Sequence, residues 1–264
     1  MPSFTDQTGR TITLDKTPQR IISLVPSQTE LLYSLGLDQE VVGITKFCVH
    51  PEEWFRSKIR IGGTKELKPE IIHQLKPDLI IANKEENVKE QVEELAAHYP
   101  LWVSDVNDVA SAFEMISQVG LLTDRPAKAG ELVAAIQTKF SQLPITRLKP
   151  SVTYLIWRDP YMSTGGDTFI NAMLEAAGFK NIFSDRSRYP ELTIRELQSH
   201  DPEFIFLSSE PFPFKHKHIE ELQPFFPQTE IILVDGEMFS WYGSRMIKAA
   251  SYFRDLQERL DFQI

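Results

Sequence analysis

RIISLVPSQTELLYSLGL, residues 20–37, and KPEIIHQLKPDLIIANK, residues 68–84, decide the fold of this chain, because their order of elements returns in the second half. The first reads as strand, sharp turn and helix, the second as helix, Pro-Asp and strand. SVTYLIWRDPYMSTGGDTFINAMLEAAGF (151–179) and ELTIRELQSHDPEFIFLSS (191–209) follow the same order, with His-Asp-Pro-Glu where Leu-Lys-Pro-Asp stood. Two such halves predict an α/β chain of two Rossmann-like lobes, each with a parallel sheet, and a ligand cleft between them. In sheets of this kind ligands bind beyond the carboxyl ends of the strands.

Local signals fill in the rest. Ile21 to Val25 is a β-branched run broken by Pro26-Ser27; Ser27 is the candidate N-cap of the next helix, Glu30 its third position and Gly36 its stop. Val41 to Ile44 reads as a second strand, and the stretch from Phe47 to Lys68, with Pro51, Gly62 and Gly63, as largely loop. Pro69 opens a short helix, DLIIA is a buried strand, and EENVKEQVEELAAHY is amphipathic, with Val88, Val92 and Leu95 on one face. LWVSDV closes the lobe as a strand.

From Val106 to about Leu148 the pattern is helix alone. VASAFEMISQVGLL and AKAGELVAAIQTKFSQL flank Thr123-Asp124-Arg125-Pro126, where Thr123 or Asp124 can cap and Pro126 can open the second helix. That helix is expected to run about 18 residues, roughly 27 Å, as a stiff strut between the lobes. The expected domains are therefore an N-terminal lobe over 1–106, a helical segment over 107–148 and a C-terminal lobe over 149–264. Gly165-Gly166-Asp167-Thr168 lacks the lysine and spacing of a nucleotide loop and reads as a turn capped by Asp167 or Thr168.

Composition narrows the class. The chain has 264 residues, 42% of them hydrophobic, enough for one large core or two of about 110–130 residues each. Acids outnumber bases 37 to 28, a net charge of −9, which argues against a nucleic-acid binder, since phosphates call for a basic face. No apolar run approaches the roughly 18 residues needed to span a bilayer. MPSFTDQTGRTITLDKTPQR has no charged n-region followed by an apolar h-region, so either a signal was removed or the protein is not exported.

Chemistry-bearing residues are sparse. Cys48, the single cysteine, cannot form an internal bridge and reads as a small buried or loop residue. His216 and His218, two apart in a segment expected to be extended, would point to one side as metal ligands can, but Lys215 and Lys217 oppose a cation. His73, His98 and His200 are dispersed, and only His50 lies in a cleft-like loop, so no metal site is expected. No Gly-x-Ser-x-Gly, paired-carboxylate or Gly-x-Gly-x-x-Gly motif occurs, and no enzyme is expected.

PQRIISLVPSQTELLYSLGLDQEVVGITKF followed by LKPEIIHQLKPDLIIA resembles the substrate-binding proteins of cobalamin and ferric-siderophore ABC importers, and DQTGRTITLDKTPQRI resembles their lead-in strand. The likeness runs over nearly the whole chain and has the flavour of the cobalamin-binding type. It implies two lobes joined by a single rigid helix, no intrinsic cofactor, a cobalamin-like or iron-chelate (siderophore or haem) ligand, a membrane permease as partner, no nucleic acid, a monomer, and a periplasmic or cell-surface location. In the cobalamin-type pattern the positions matching Pro26, Phe47, Thr64, Asn83, Tyr161, Tyr189, Glu237 and Trp241 line the ligand, and Ser27 lies beside them on the same rim. Thr64 and Asn83 stand where that pattern has tryptophans. Aromatic walls with a few orienting polar groups suit a flat macrocycle.

The family docks its permease through one surface glutamate per lobe. Glu70, seven residues before Pro77, fits that position; the residue seven before Pro202 is Arg195, with Glu196 beside it. The alternative reading is a non-exported intracellular corrinoid or metal-chelate binder that keeps the fold without permease docking.

Overall fold

The computed structural model describes residues 2–144 and 149–260, so the expected boundary at 148 and the chain ends at 1 and 264 lie outside the described residues. By internal contacts the chain forms two compact units. Among the described residues, unit 1 takes 2–106, 110–135 and 242–245; unit 2 takes 107–109, 136–144, 149–241 and 246–260.

Unit 1 begins with β1 (Ser3–Thr5) and β2 (Thr11–Thr13), an antiparallel pair. Strand and helix then alternate: β3 (Ile21–Ser23), α1 (Pro26–Ser34), β4 (Val41–Ile44), α2 (Glu52–Ser57), β5 (Ile59–Arg60), α3 (Pro69–Leu75), β6 (Leu79–Asn83), α4 (Lys89–Ala96) and β7 (Leu101–Ser104). Helices α5 (Val109–Leu122) and α6 (Pro126–Ser141) follow. The sheet runs β5-β4-β3-β6-β7 with every neighbour parallel. Every residue of β3, β6 and β7 is buried, which is why those strands read as unbroken apolar runs rather than alternating ones.

Unit 2 repeats the plan with β8 (Ser151–Leu155), β9 (Tyr161–Met162), α7 (Phe169–Ala176), β10 (Lys180–Asn181), β11 (Glu191–Leu192), α8 (Ile194–His200), β12 (Phe204–Ser208), α9 (His216–Leu222), β13 (Glu230–Val234), α10 (Glu237–Ser240) and α11 (Met246–Arg259). Its sheet, β10-β8-β12-β13, is also wholly parallel, and β11 pairs with β9 as a separate antiparallel ribbon. Tyr154, Phe206, Phe239 and Phe253 stack ring against ring at the centre of this unit. Each such buried ring contributes about 1.5–3 kcal/mol of burial free energy.

The repeated segments agree down to the backbone. Helix α3 ends on Lys76 at φ 46, ψ 60, and α8 ends on Asp201 at φ 45, ψ 60. Both left-handed residues precede a proline, then an acid, then a five-residue strand. The acids do the same work: Asp78 accepts the N–H groups of Gln19 and Arg20, just before β3, and Glu203 accepts the N–H of Ser151, the first residue of β8. Each carboxylate thus pins the start of the strand that neighbours its own.

Three local expectations are corrected. Ser27 is not an N-cap: Pro26 takes the first helical position, where its missing N–H costs nothing, and Val25 precedes it without a side-chain cap. Residues 47–68 are largely loop, as expected, but contain the short α2, where Glu52 and Glu53 in the first turn and Arg56 in the last complement the helix dipole around buried Trp54. Helix α6 has 16 residues, and the Thr123 hydroxyl is spent on the Val119 carbonyl at the end of α5 rather than on capping it. His216 and His218 lie on α9, not on an extended segment. Two helical residues so spaced face apart, and His218 is 2% exposed against Phe212 and Phe214. Gly36 does end α1, with its N–H on Tyr33 and that of Leu37 on Leu32, the paired pattern of a Schellman stop.

Candidate ligand-binding site

In each unit the strand order reverses at one point, the place where open α/β sheets bind ligands beyond the strands' carboxyl ends. In unit 1 that point lies between β3 and β6; in unit 2, between β8 and β12. The sequence-expected ligand residues fall almost entirely on these loops and their neighbours.

In unit 1 the mouth is organised by Asn83. Its carboxamide N–H groups reach Ser104 Oγ at 2.9 Å and the Ser104 carbonyl at 3.2 Å; its Oδ1 accepts the N–H groups of Glu85 and Glu86, both at 2.9 Å. Asn87 returns a bond to the Asn83 N–H and donates to the Thr64 carbonyl at 3.0 Å, while Lys65 Nζ donates to the Glu85 carbonyl at 2.6 Å. Asn83 and Thr64, 2% and 9% exposed, therefore shape the loops from within. Phe47 is the open aromatic of this group at 51% exposure, its ring under the Lys46 ammonium. Pro26 is half-buried and Ser27 buried. Tyr242, from the segment that returns to this unit, is buried, and burial pushes its phenol pKa up while the nearby Ser27 and Ser104 oppose the rise. The same segment carries Arg245, whose Nε lies 2.8 Å from Oε2 of buried Glu30.

In unit 2 Tyr161 is half-buried; burial raises its phenol pKa, and a hydrogen bond with Arg158 opposes the rise. Arg158 also reaches Asp159 and Glu221. Tyr189 is half-buried, with the Arg188 guanidinium 5.6 Å from its ring centre. Glu237 is half-buried in the first turn of α10, and Trp241, just past that helix, is 7% exposed. The Gly165 and Gly166 N–H groups are taken by the carbonyls of Arg188 and Arg186. A Cβ at either glycine would stand 2.1–2.3 Å from a carbonyl oxygen of the facing segment. The pair therefore allows two backbones to meet, and Thr168, not Asp167, caps α7.

Two further side chains stand at these loops, the first read from the sequence as the start of a rim loop over 157–162 and the second not singled out. Trp157, inside an expected rim segment, is 40% exposed and edge-on to Phe212. Glu210, two residues past β12, accepts from Ser240 and Trp241; its only sequence signal is its place after a buried strand. Among the described residues no three His, Cys, Asp or Glu side chains are arranged to hold a metal ion.

The docking candidates differ in environment. Glu70 is exposed at the second position of α3 and has no side-chain partner among the described residues. Arg195 occupies the same position of α8. Glu196 is bonded to the Arg186 guanidinium and completes a capping box with Thr193, which holds its carboxyl below the usual range.

Two parallel-sheet units with aromatic and polar side chains on their strand-end loops are the architecture in which α/β proteins hold ligands. The periplasmic binding protein family model matches residues 21–228, and the chain belongs to that family. Its members bind substrates and are not enzymes, in agreement with the sequence reading.

Among relatives, the chain is 27% identical over 212 residues to the ABC transporter substrate-binding lipoprotein YvrC of Bacillus subtilis, covering 76% of this chain and 67% of that one. It is 27% identical over 195 residues to a vitamin B12-binding protein of Vibrio campbellii, 72% and 70% of the two chains. Among solved structures, one described as a possible iron-binding periplasmic solute-binding protein of Staphylococcus epidermidis superposes with a TM-score of 0.77 at 25% identity, over 93% of this chain and 99% of the other.

Proposed function

We propose that this protein is the substrate-binding component of an ABC importer that takes up a cobalamin-like corrinoid or a ferric chelate, siderophore or haem. The observation that carries the reading is the family match, which spans both sheets' switch points. The B12-binding and iron-binding descriptions of similar proteins support the ligand class. The aromatic character of the loops, with Phe47 in unit 1 and Trp157, Tyr161 and Tyr189 in unit 2, suits a large flat ligand. Pro26, Glu237 and Trp241 are further candidate contacts, while Ser27, Thr64 and Asn83 serve as the frame that holds them. Such a receptor works outside the cytoplasmic membrane and hands its ligand to a permease as a monomer.

Glu70 is the docking acid of this reading. Arg195 at the equivalent position of unit 2 would repel a permease arginine, and Glu196 is already committed to Arg186, so docking is asymmetric. This asymmetry is also the one observation that favours the intracellular alternative.

Titrations with cyanocobalamin, haemin and a ferric hydroxamate, followed by absorbance and calorimetry, test the ligand class. Binding of one of them at tens of micromolar or tighter is expected. Failure of all three would remove it.

A further inference from the structure

Glu210 stands at the switch point of unit 2, and its carboxylate serves one end of a strand-end hydrogen-bond network. Oε1 accepts hydrogen bonds from Ser240 Oγ at 2.6 Å and from the indole Nε1 of Trp241 at 2.8 Å. Its backbone is equally fixed: the N–H reaches Ser208 Oγ at 3.3 Å, and its carbonyl accepts from that hydroxyl at 2.5 Å. Ser208 Oγ in turn accepts from the buried Tyr154 hydroxyl at 3.0 Å. From the other side, Gly236 donates to Ser209 Oγ at 2.9 Å. A Cβ at Gly236 would lie 2.4 Å from Ser208 Oγ and 2.7 Å from Glu210 Cγ, so the loop after β13 closes on Glu210 only because residue 236 is glycine. Groups at the ends of β8, β12 and β13 thus fix the backbone around Glu210, whose carboxylate holds one indole.

We infer that Glu210 is a positioning residue of the ligand-binding site, which fixes the Trp241 ring by holding its N–H. A tryptophan has two soft side-chain torsions, and a flat ligand gains from a wall whose plane is set beforehand, because no rotamer freedom is then lost on binding. The environment fits an internal tether. Burial raises the carboxyl pKa, the Ser240 and Trp241 donors oppose the rise, and the nearby charges of Glu237 and Asp235 add to it.

The affinity part of this inference rests on the proposed ligand class; the ring-fixing part does not. Full-length E210A, E210Q and W241F chains, singly and combined, separate the two. The carboxamide oxygen of E210Q can still accept the indole proton, so it is expected to match the wild type. Acrylamide quenching of Trp241, taken as the difference between each protein and its W241F counterpart, should rise in E210A. E210D, with a shorter arm, carries the same readout should E210A fail to fold.

With cyanocobalamin, haemin or ferric hydroxamate, E210A should bind about tenfold more weakly, and adding E210A to W241F should cause no further loss. Unchanged quenching in both E210A and E210D, or additive losses of affinity, would overturn the inference. If the wild type binds none of the three probes, the ligand class falls and the quenching comparison still decides the role of Glu210.

Discussion

Asp78 and Glu203 carry the acid of the two Pro-acid motifs, and each spends it on backbone N–H groups at the start of a neighbouring strand. The acid was visible in the sequence as part of a repeat; its task was not, because its partners lie more than fifty positions away. D78A is expected to lose about 1–2 kcal/mol of stability in urea unfolding, and D78N distinctly less, since its amide oxygen can still accept.

His218 shows the opposite case, a residue that looked like chemistry and proves to be packing. Its Nδ1 accepts the Lys215 N–H, and burial holds its pKa below the usual 6.5, with Glu221 opposing and Lys217, Arg158 and Lys215 assisting. The unfolded chain therefore takes up the proton first as pH falls. Stability is intact above the ordinary imidazole range and drops as the solution passes below it toward the lowered folded value. Melting temperatures measured from about pH 7.5 to 5 should decline in the wild type and flatten in H218N.

At the scale of elements, the order of strands and helices was legible wherever a run was long or doubled. The parallel sheets followed from the unbroken apolar strands, and α3 and α8 from their prolines and repeated spacing. Helix α2 and strand β5 escaped, since six and two residues carry too little periodicity to outweigh the prolines and glycines around them. The candidate site was legible as a set of strand-end loops, but not in its division of labour. Whether Asn83 faces ligand or frames a loop depends on Ser104 and Asn87, which only the folded sheet brings to it. Helix α8 offers a direct test: Thr193 and Glu196 close a capping box, so T193A should cost about 1 kcal/mol, read from chemical unfolding.

At the scale of the whole molecule, the chain forms two compact units, and one short segment late in the sequence belongs to the first. Residues 242–245 belong to unit 1 although the residues on either side belong to unit 2. Nothing local marks them, because Glu30 and Arg245 stand 215 positions apart. Removing one member of a buried ion pair takes away part of the other's compensation, so R245M should cost up to about 3–5 kcal/mol in the unfolding of the intact protein. A loss below about 1 kcal/mol would mean that Glu30 has another adequate partner.

That segment also sets a timetable. A chain leaving the ribosome or a translocation channel yields its N-terminal parts first, yet the Glu30–Arg245 pair cannot form until residue 245 has emerged. Unit 2 is itself incomplete until α11, over 246–259, has followed. Neither unit can finish early, and both are completed by the same last stretch of polypeptide. A copy lacking residues 242–259 would be defective in both units at once, which leaves quality-control proteases a clear difference to act on.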